Sequence, residues 1–231
     1  MNANILAVDS STEACSVALL YDKKKFSKFI ISPKEHTKKI LLMVKQCLSE
    51  ANINLKKIDV LAFGRGPGSF TGVRIGVCIA QGLAFACNLP MIGISSLLSI
   101  AQGAYDQLGR KKILVAINAG KGEIYSACYQ LKLSGSWEGE NTEAILKPQK
   151  LLSKIDRLKG QWTIAGNSWL TYPILKMANV NLVESRIYLP DAQYILPLAL
   201  KQWKRGAIIY PEEAQPIYLY SKFYWKKKSN N

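Results

Sequence analysis

Ile5 to Asp9 is an apolar run that closes on an acid and reads as a short strand. Cys15 to Tyr21 and Phe26 to Ile31 follow as two further strands. Ser10-Ser11-Thr12 and Asp22 to Lys24 separate them and supply turn-forming polar residues. The period then changes. Across Glu35 to Ala51, Ile40, Val44, Cys47, Leu48 and Ala51 recur at three and four, which predicts an amphipathic helix. Ile58 to Phe63 is a short apolar run ending in glycines, hence a buried strand. Phe70 to Cys87 predicts a helix ended by Asn88 and Pro90, followed by a strand at Met91 to Ile94 and a helix at Ser95 to Leu108. The order β-β-β-α-β-α-β-α predicts a mixed sheet with helices on its faces.

The second half begins near Lys111. Ile113 to Ile117 and Glu123 to Leu131 read as strands joined by Asn118 to Gly122, and Ser134 to Thr142 as a polar loop around Trp137. Gln149 to Leu158, Asn167 to Ala178 and Asp191 to Arg205 read as helices, and Trp162 to Ala165 as a strand. The division this suggests is residues 1–108 and 109–231, with the last helix, about 191–205, free to pack back on the first part. No internal repeat or low-complexity linker is visible.

Composition changes the picture in one respect. The chain has 231 residues, 48% of them hydrophobic, enough for a sizeable core. Lys and Arg number 31 against 16 acids, a formal charge of +15. Such an excess attracts polyanions, although the lysines lie in small knots, none of them long enough to be a nucleic-acid arm alone. Cys15, Cys47, Cys78, Cys87 and Cys128 are odd in number and widely spaced, which fits reduced thiols in the cytoplasm. The N-terminus lacks a basic n-region, so no signal peptide is expected. The uncharged stretch Ile75 to Ile94 is interrupted by Gln81, Asn88 and Pro90, and no membrane span is expected.

The informative stretch runs from a buried strand into a helix: Gly64, Arg65, Gly66, Pro67, Gly68, Ser69, Phe70, Thr71, Gly72, Val73, Arg74, Ile75 and Gly76. Its glycines permit backbone angles closed to other residues, and Gly68 is expected at positive φ. Ser69 is placed to cap the helix. A Walker loop needs Lys and Ser or Thr after the last glycine, and Val73-Arg74 stands there instead. A dinucleotide fingerprint needs an acid about 20 residues on, and none lies between Asp59 and Asp106. Within the helix, Gly72, Gly76, Ala80 and Ala84 recur at every fourth position. That smooth stripe admits a close neighbour, either this chain's own sheet and 35–51 helix or a second polypeptide.

This glycine run resembles the signature of the TsaB (YeaZ) family. Ala7-Val8-Asp9-Ser10-Ser11-Thr12-Glu13 resembles the family's opening strand and turn, His36 and the helix after it match its first helix, Gly122-Glu123-Ile124-Tyr125 resembles its Gly-Glu-Val-Tyr, and Pro216-Ile217-Tyr218-Leu219 its closing Pro-x-Tyr-Leu. The resemblance implies an α/β actin-like ATPase (sugar kinase and Hsp70-type) fold in two subdomains. It also implies a non-catalytic subunit that binds and activates the catalytic TsaD subunit, joined by the ATPase TsaE. Together these modify the adenosine beside the tRNA anticodon, so tRNA is met through the complex. ATP-using members of the fold carry Asp-x-Gly in the first turn. Ser10 and Ser11 follow Asp9 here, so no phosphate site and no cofactor is expected.

The rival reading is an enzyme, either a peptidase or an ATP-using kinase. The single histidine, His36, cannot form a paired-His metal site, and no Gly-x-Ser-x-Gly elbow is present. A third reading places RNA on the tail, where aromatic residues alternate with lysines from Tyr218 to Lys228. The expected partner surface consists of Ile40, Leu41, Val44 and Leu48 on the first helix and Gly72, Val73, Gly76, Ala80 and Ala84 on the second. Two helices from each partner would make a four-helix packing, and a homodimer would use the same helices.

Overall fold

The structure, a computed structural model, describes residues 3–33 and 35–219. The tail from Tyr220 onward, where the RNA-stacking reading falls, lies outside the described residues. The chain divides into two compact units. The first holds Met1–Gly103 with Leu189–Ile217, and the second holds Ala104–Tyr188.

In the first unit β1 (Ile5–Asp9), β2 (Ala14–Tyr21), β3 (Lys24–Ile31), β4 (Val60–Gly64) and β5 (Met91–Ile94) form one sheet of order β3-β2-β1-β4-β5. The hairpin strands β1, β2 and β3 pair antiparallel, and β4 joins β1, and β5 joins β4, in parallel. This is the predicted mixed sheet. Strand β1 is buried at every position, as its unbroken apolar run requires. Its side chains alternate between the faces. Leu6 and Val8 join Ile40, Val44 and Cys47 of α1 (His36–Glu50) and Val73, Val77, Ala80 and Ala84 of α2 (Phe70–Ala86) in one core.

Helix α3 (Ser96–Leu108) follows β5. Helix α6 (Ala192–Lys204) belongs to the first unit and packs on β1, β2, β4 and β5. Its seat is partly polar. The Ala192 N–H, in its first turn, donates to Ser16 Oγ at 2.9 Å in a buried position, and Asp191 caps the same turn by accepting from the Gln193 N–H at 3.0 Å.

The second unit has β6 (Lys112–Gly120), β7 (Glu123–Leu131), β8 (Trp137–Glu138), β10 (Gln161–Ala165) and β11 (Asn181–Glu184) in the order β8-β7-β6-β10-β11, with β9 (Ala144–Leu146) added on β7. Here too β6, β7 and β8 pair antiparallel, and β10 and β11 join in parallel. The two sheets therefore repeat one topology, which no repeat in the sequence announces. Helix α4 (Pro148–Ile155) precedes β10. The helix expected over Asn167 to Ala178 is instead a short turn of helix, α5 (Ser168–Thr171), and a 3-10 segment Pro173–Met177. Pro173 has no N–H to continue the first ladder and disfavours the helical conformation of Tyr172 before it; Tyr172 sits at φ −124° and ψ 82°.

Ser16→Ala leaves the Ala192 N–H buried without a partner. It is expected to destabilise the chain by about 1–3 kcal/mol, read as a fall in the urea midpoint at unchanged m-value.

Candidate functional site

Strand β1 ends at Asp9, and the turn Asp9-Ser10-Ser11 comes to rest against the glycine run. Four glycines spaced by four receive it. A Cβ on Gly64 would lie 1.9 Å from Asp9 Oδ2, and one on Gly68 would lie 2.1 Å from Ser11 O. On Gly72 it would meet Ser10 O at 2.3 Å, and on Gly76 Ser10 Oγ at 2.8 Å. The expectation of positive φ at Gly68 is corrected: within the run only Gly66 has it, at +91°. Gly68 is required by close approach rather than by its backbone angle.

Hydrogen bonds complete the contact. The Ser69 N–H donates to Ser11 O at 2.7 Å, and Ser10 Oγ donates to Gly72 O at 2.9 Å. Ser69 is the N-cap of α2, accepting from the Gly72 N–H at 3.4 Å as predicted. Pro67 is buried between Gly66 and Gly68, whereas Phe70, Thr71 and Arg74 emerge on the surface. The Arg74 guanidinium lies 3.4 Å over the Phe70 ring.

Asp9 is 2% exposed. Its Oδ1 accepts from the Ser11 N–H at 2.8 Å and from Ser11 Oγ at 2.7 Å, while Oδ2 has no partner. Burial pushes its carboxyl up to about 6, against the opposing pull of the two Ser11 bonds; Asp191 adds a smaller push in the same direction. Burial also raises Asp191 itself. His36 is buried, with Nδ1 unpartnered, and burial lowers its pKa against a bond to the Thr12 backbone. Among the described residues no three His, Cys, Asp or Glu side chains gather as a metal site would require, and no helix is long and apolar enough to cross a membrane.

The residues expected at a partner surface separate into two groups. Ile40, Val44, Val73, Ala80 and Ala84 are at most 4% exposed, and Gly72 and Gly76 are buried against Ser10. The small-residue stripe is thus used inside this chain, because it is the face that lets α2 lie close to β1. Leu41 is 50% exposed and Leu48 is half-buried. The outward apolar residues that periodicity does not single out are Leu42, Phe70 and Phe85, at 51%, 61% and 78% exposed. Leu42 is legible as the middle of the run Leu41-Leu42-Met43, which is wider than one core-facing stripe needs. Phe70 reads in the sequence only as part of the turn motif. A groove lined by Leu41, Val44, Leu48, Ile53 and Leu83 opens between α1 and α2.

Two sheets of one repeated topology, with crossover helices after the hairpin strands, define the actin-like ATPase class. Within it, the chain is 46% identical to the tRNA threonylcarbamoyladenosine biosynthesis protein TsaB of Escherichia coli (strain K12), over 96% of this chain and 97% of that one. It is 38% identical to the TsaB of Haemophilus influenzae, over 98% and 97%. YeaZ from Pseudomonas aeruginosa matches it with a TM-score of 0.83 at 38% identity, over 94% of this chain and 100% of that one. The chain belongs to the TsaB family of tRNA threonylcarbamoyladenosine biosynthesis proteins. Residues 30–184 also match the family model of TsaD, tRNA N6-adenosine threonylcarbamoyltransferase.

Two glycines of α2 separate close approach from helix propensity. Gly72→Ala must displace the Ser10 carbonyl and is expected to cost about 1–3 kcal/mol. A Cβ on Gly82 would meet nothing within 4 Å, so Gly82→Ala is expected to gain about 0.5–1 kcal/mol. Thermal melts of the two variants should shift in opposite directions.

The pH dependence follows from Asp9. Its folded-state pKa lies above the unfolded value of 3.8, so the folded chain binds the proton more tightly. Its contribution is fully present below pH 3.8 and is lost as pH rises through about 6. Asp9→Asn keeps an acceptor for Ser11 and cannot ionise. Relative to the parent, the variant is expected to gain roughly 2.5 kcal/mol between pH 4 and 7.5, read from urea unfolding at the two pH values. Parallel pH profiles would exclude a shifted Asp9.

Proposed function

We propose that this chain is the non-catalytic subunit of the cytoplasmic machinery that places threonylcarbamoyl on the adenosine beside the tRNA anticodon. It binds and activates the TsaD subunit, with the ATPase TsaE joining the pair. The observation that carries this reading is the near-full-length likeness to proteins named for that biosynthesis. The first turn supports the non-catalytic part. The groups that a phosphate-binding turn would present are engaged within the chain: the Ser11 N–H and hydroxyl on Asp9, and the Ser10 hydroxyl on Gly72 O. The Asp9 carboxylate, which would hold a metal-bound phosphate in an ATP-using relative, is closed over by Gly64.

The surface that meets TsaD, on this reading, is the outward side of the same two helices expected from the sequence. It is centred on Leu41, Leu42, Leu48 and Phe85 rather than on the buried stripe. Exposed apolar residues of this size on adjacent helices suit a buried interface core. Residues 30–184, which match the TsaD family model, include both helices. A partner built from the same elements can therefore meet them in a pseudo-twofold four-helix packing. A second copy of the chain can use the same face when TsaD is absent.

Leu41→Glu and Phe85→Glu should leave the melting temperature within a few degrees of the parent, since both side chains are exposed. Each should weaken co-elution with TsaD at least tenfold and reduce tRNA modification by the reconstituted complex. Ala80→Glu, by contrast, should fail to fold because it buries an unpaired charge. Full-strength TsaD binding by both exposed-site variants would place the interface elsewhere.

A further inference from the structure

The positive charge of the second unit is segregated. Residues 104–188 carry twelve basic and seven acidic side chains. Eight of the twelve fall in two short segments, Arg110 to Lys112 and Lys147 to Lys159, with one acid, Asp156, among them. The rest of the unit has four basic and six acidic residues, so away from these segments its balance is negative.

The fold brings the first segment to the C-terminal part of the second, while Lys147, next to Leu146 opposite Ile124, lies toward the other end of the sheet. Strands β6 and β10 are parallel neighbours, with Ile113 opposite Thr163, so their N-terminal ends lie side by side. The Arg110 guanidinium bonds the Gln161 side-chain carbonyl. Lys112 Nζ sits 5.7 Å over the Trp162 ring, and the Trp162 indole N–H donates to Lys159 O at 3.3 Å. Lys150 and Lys154 lie one turn apart on α4, about 5–6 Å from each other, a spacing comparable with successive phosphates of a strand, and Arg157 and Lys159 follow the end of the helix at Ile155.

All eight side chains belong to exposed residues. None of Lys111, Lys147, Lys150, Lys154, Arg157 and Lys159 forms an ion pair among the described residues. Asp156 is occupied with the Asn179 N–H at 2.9 Å. Charge kept only for solubility would be interspersed with acids. Segregated, unpaired charge on a rigid sheet end and helix flank is instead the footprint of a polyanion.

We propose that this basic end of the second unit, formed by α4 and the starts of β6 and β10, binds the phosphate backbone of tRNA directly. The choice of tRNA over other polyanions rests on the function proposed above. No exposed aromatic ring lies among these residues; Trp162 is 3% exposed and covered by Lys112. The contact is therefore electrostatic and independent of base sequence, orienting the RNA rather than reading it.

The test is fluorescence-anisotropy binding of unmodified tRNA to the full chain over a potassium chloride series. One variant carries Lys150→Gln, Lys154→Gln, Arg157→Gln and Lys159→Gln. A second carries Arg110→Gln and Lys111→Gln. An equal-charge control carries Lys121→Gln, Lys132→Gln, Lys176→Gln and Arg186→Gln, and a tail control carries Lys226→Gln, Lys227→Gln and Lys228→Gln. The fourfold patch variant should bind at least tenfold more weakly near 0.1 M salt. Its plot of log K against log salt should be shallower by about 3, since each phosphate contact contributes roughly 0.7–0.9 to the slope. The twofold variant should lower the slope by about 1–2, and both controls should move it little. Unchanged affinity and slope in both patch variants would overturn the proposal, as would loss confined to either control. Unchanged tRNA binding together with lost binding to phosphatidylserine vesicles would assign the patch to a membrane surface instead. Co-elution with TsaD, measured on the same variants, should stay at parental strength, which separates failure of this inference from failure of the subunit assignment.

Discussion

The turn Asp9-Ser10-Ser11 can sit where it does only because residues 64, 68, 72 and 76 have no side chains. Each of the four positions is occupied by an atom of that turn, all four closer to a would-be Cβ than such contacts come. Two hydrogen bonds, Ser69 to Ser11 and Ser10 to Gly72, join the turn to the start of α2. Glycine in a helix interior costs about 1 kcal/mol relative to alanine, and these bonds with the burial of Val73 and Val77 offset it. The approach of α2 to β1 then positions everything beyond it. Ala80 and Ala84 reach the same core as Leu6 and Val8, and α1 packs beside them through Ile40, Val44 and Cys47.

The second unit meets the same geometric problem with different atoms. Strand β6 is the counterpart of β1, and Gly166, just after β10, is the counterpart of Gly64 at the end of β4. A Cβ on Gly166 would strike Ala116 O at 2.1 Å, and the residue sits at φ +102°. No glycine run follows. Instead Asn167 turns its side-chain carbonyl onto the Asn118 N–H at 2.9 Å, and α5 is a single turn of helix. The topology is kept while the close helix approach is not. This is why the two halves share a strand order but no recognisable sequence.

Legibility follows from the length and burial of each element. The first hundred residues can be read almost element by element, because β1 and β4 are fully buried runs and α1 and α2 span four or more turns. Strands β8, β9 and β11 have two to four residues each, too short for alternation to register, and the helix expected across Pro173 stops where proline physics says it must. The glycine run announces that something lies close to α2. Periodicity reports a smooth face, however, and not the identity of what covers it. The stripe is therefore as compatible with another polypeptide as with Ser10. The face that remains open, with Leu41, Leu42 and Phe85, breaks the expected pattern: these are large apolar residues where an amphipathic surface helix would carry charge.

The glycines and the turn form one structural unit. The Asp9 carboxyl is not available as an open ligand. One oxygen is taken by Ser11, and the other is enclosed against Gly64, where desolvation raises its pKa to about 6. The carboxyl still ionises below neutral pH, and one of its oxygens is held by the Ser11 N–H and hydroxyl. Removing the glycines to fill the cradle would push α2 off the sheet and with it the outward helix faces. The motif most suggestive of nucleotide chemistry in the sequence is, in the folded chain, what holds the two surface helices in register. The surfaces open to other molecules are chemically distinct: apolar on α1 and α2 of the first unit, cationic on α4 and the β6 and β10 ends of the second. An apolar helix face requires a partner that excludes water, whereas dispersed cations hold a polyanion through released counterions. The surfaces proposed for a protein partner and for tRNA share no side chains.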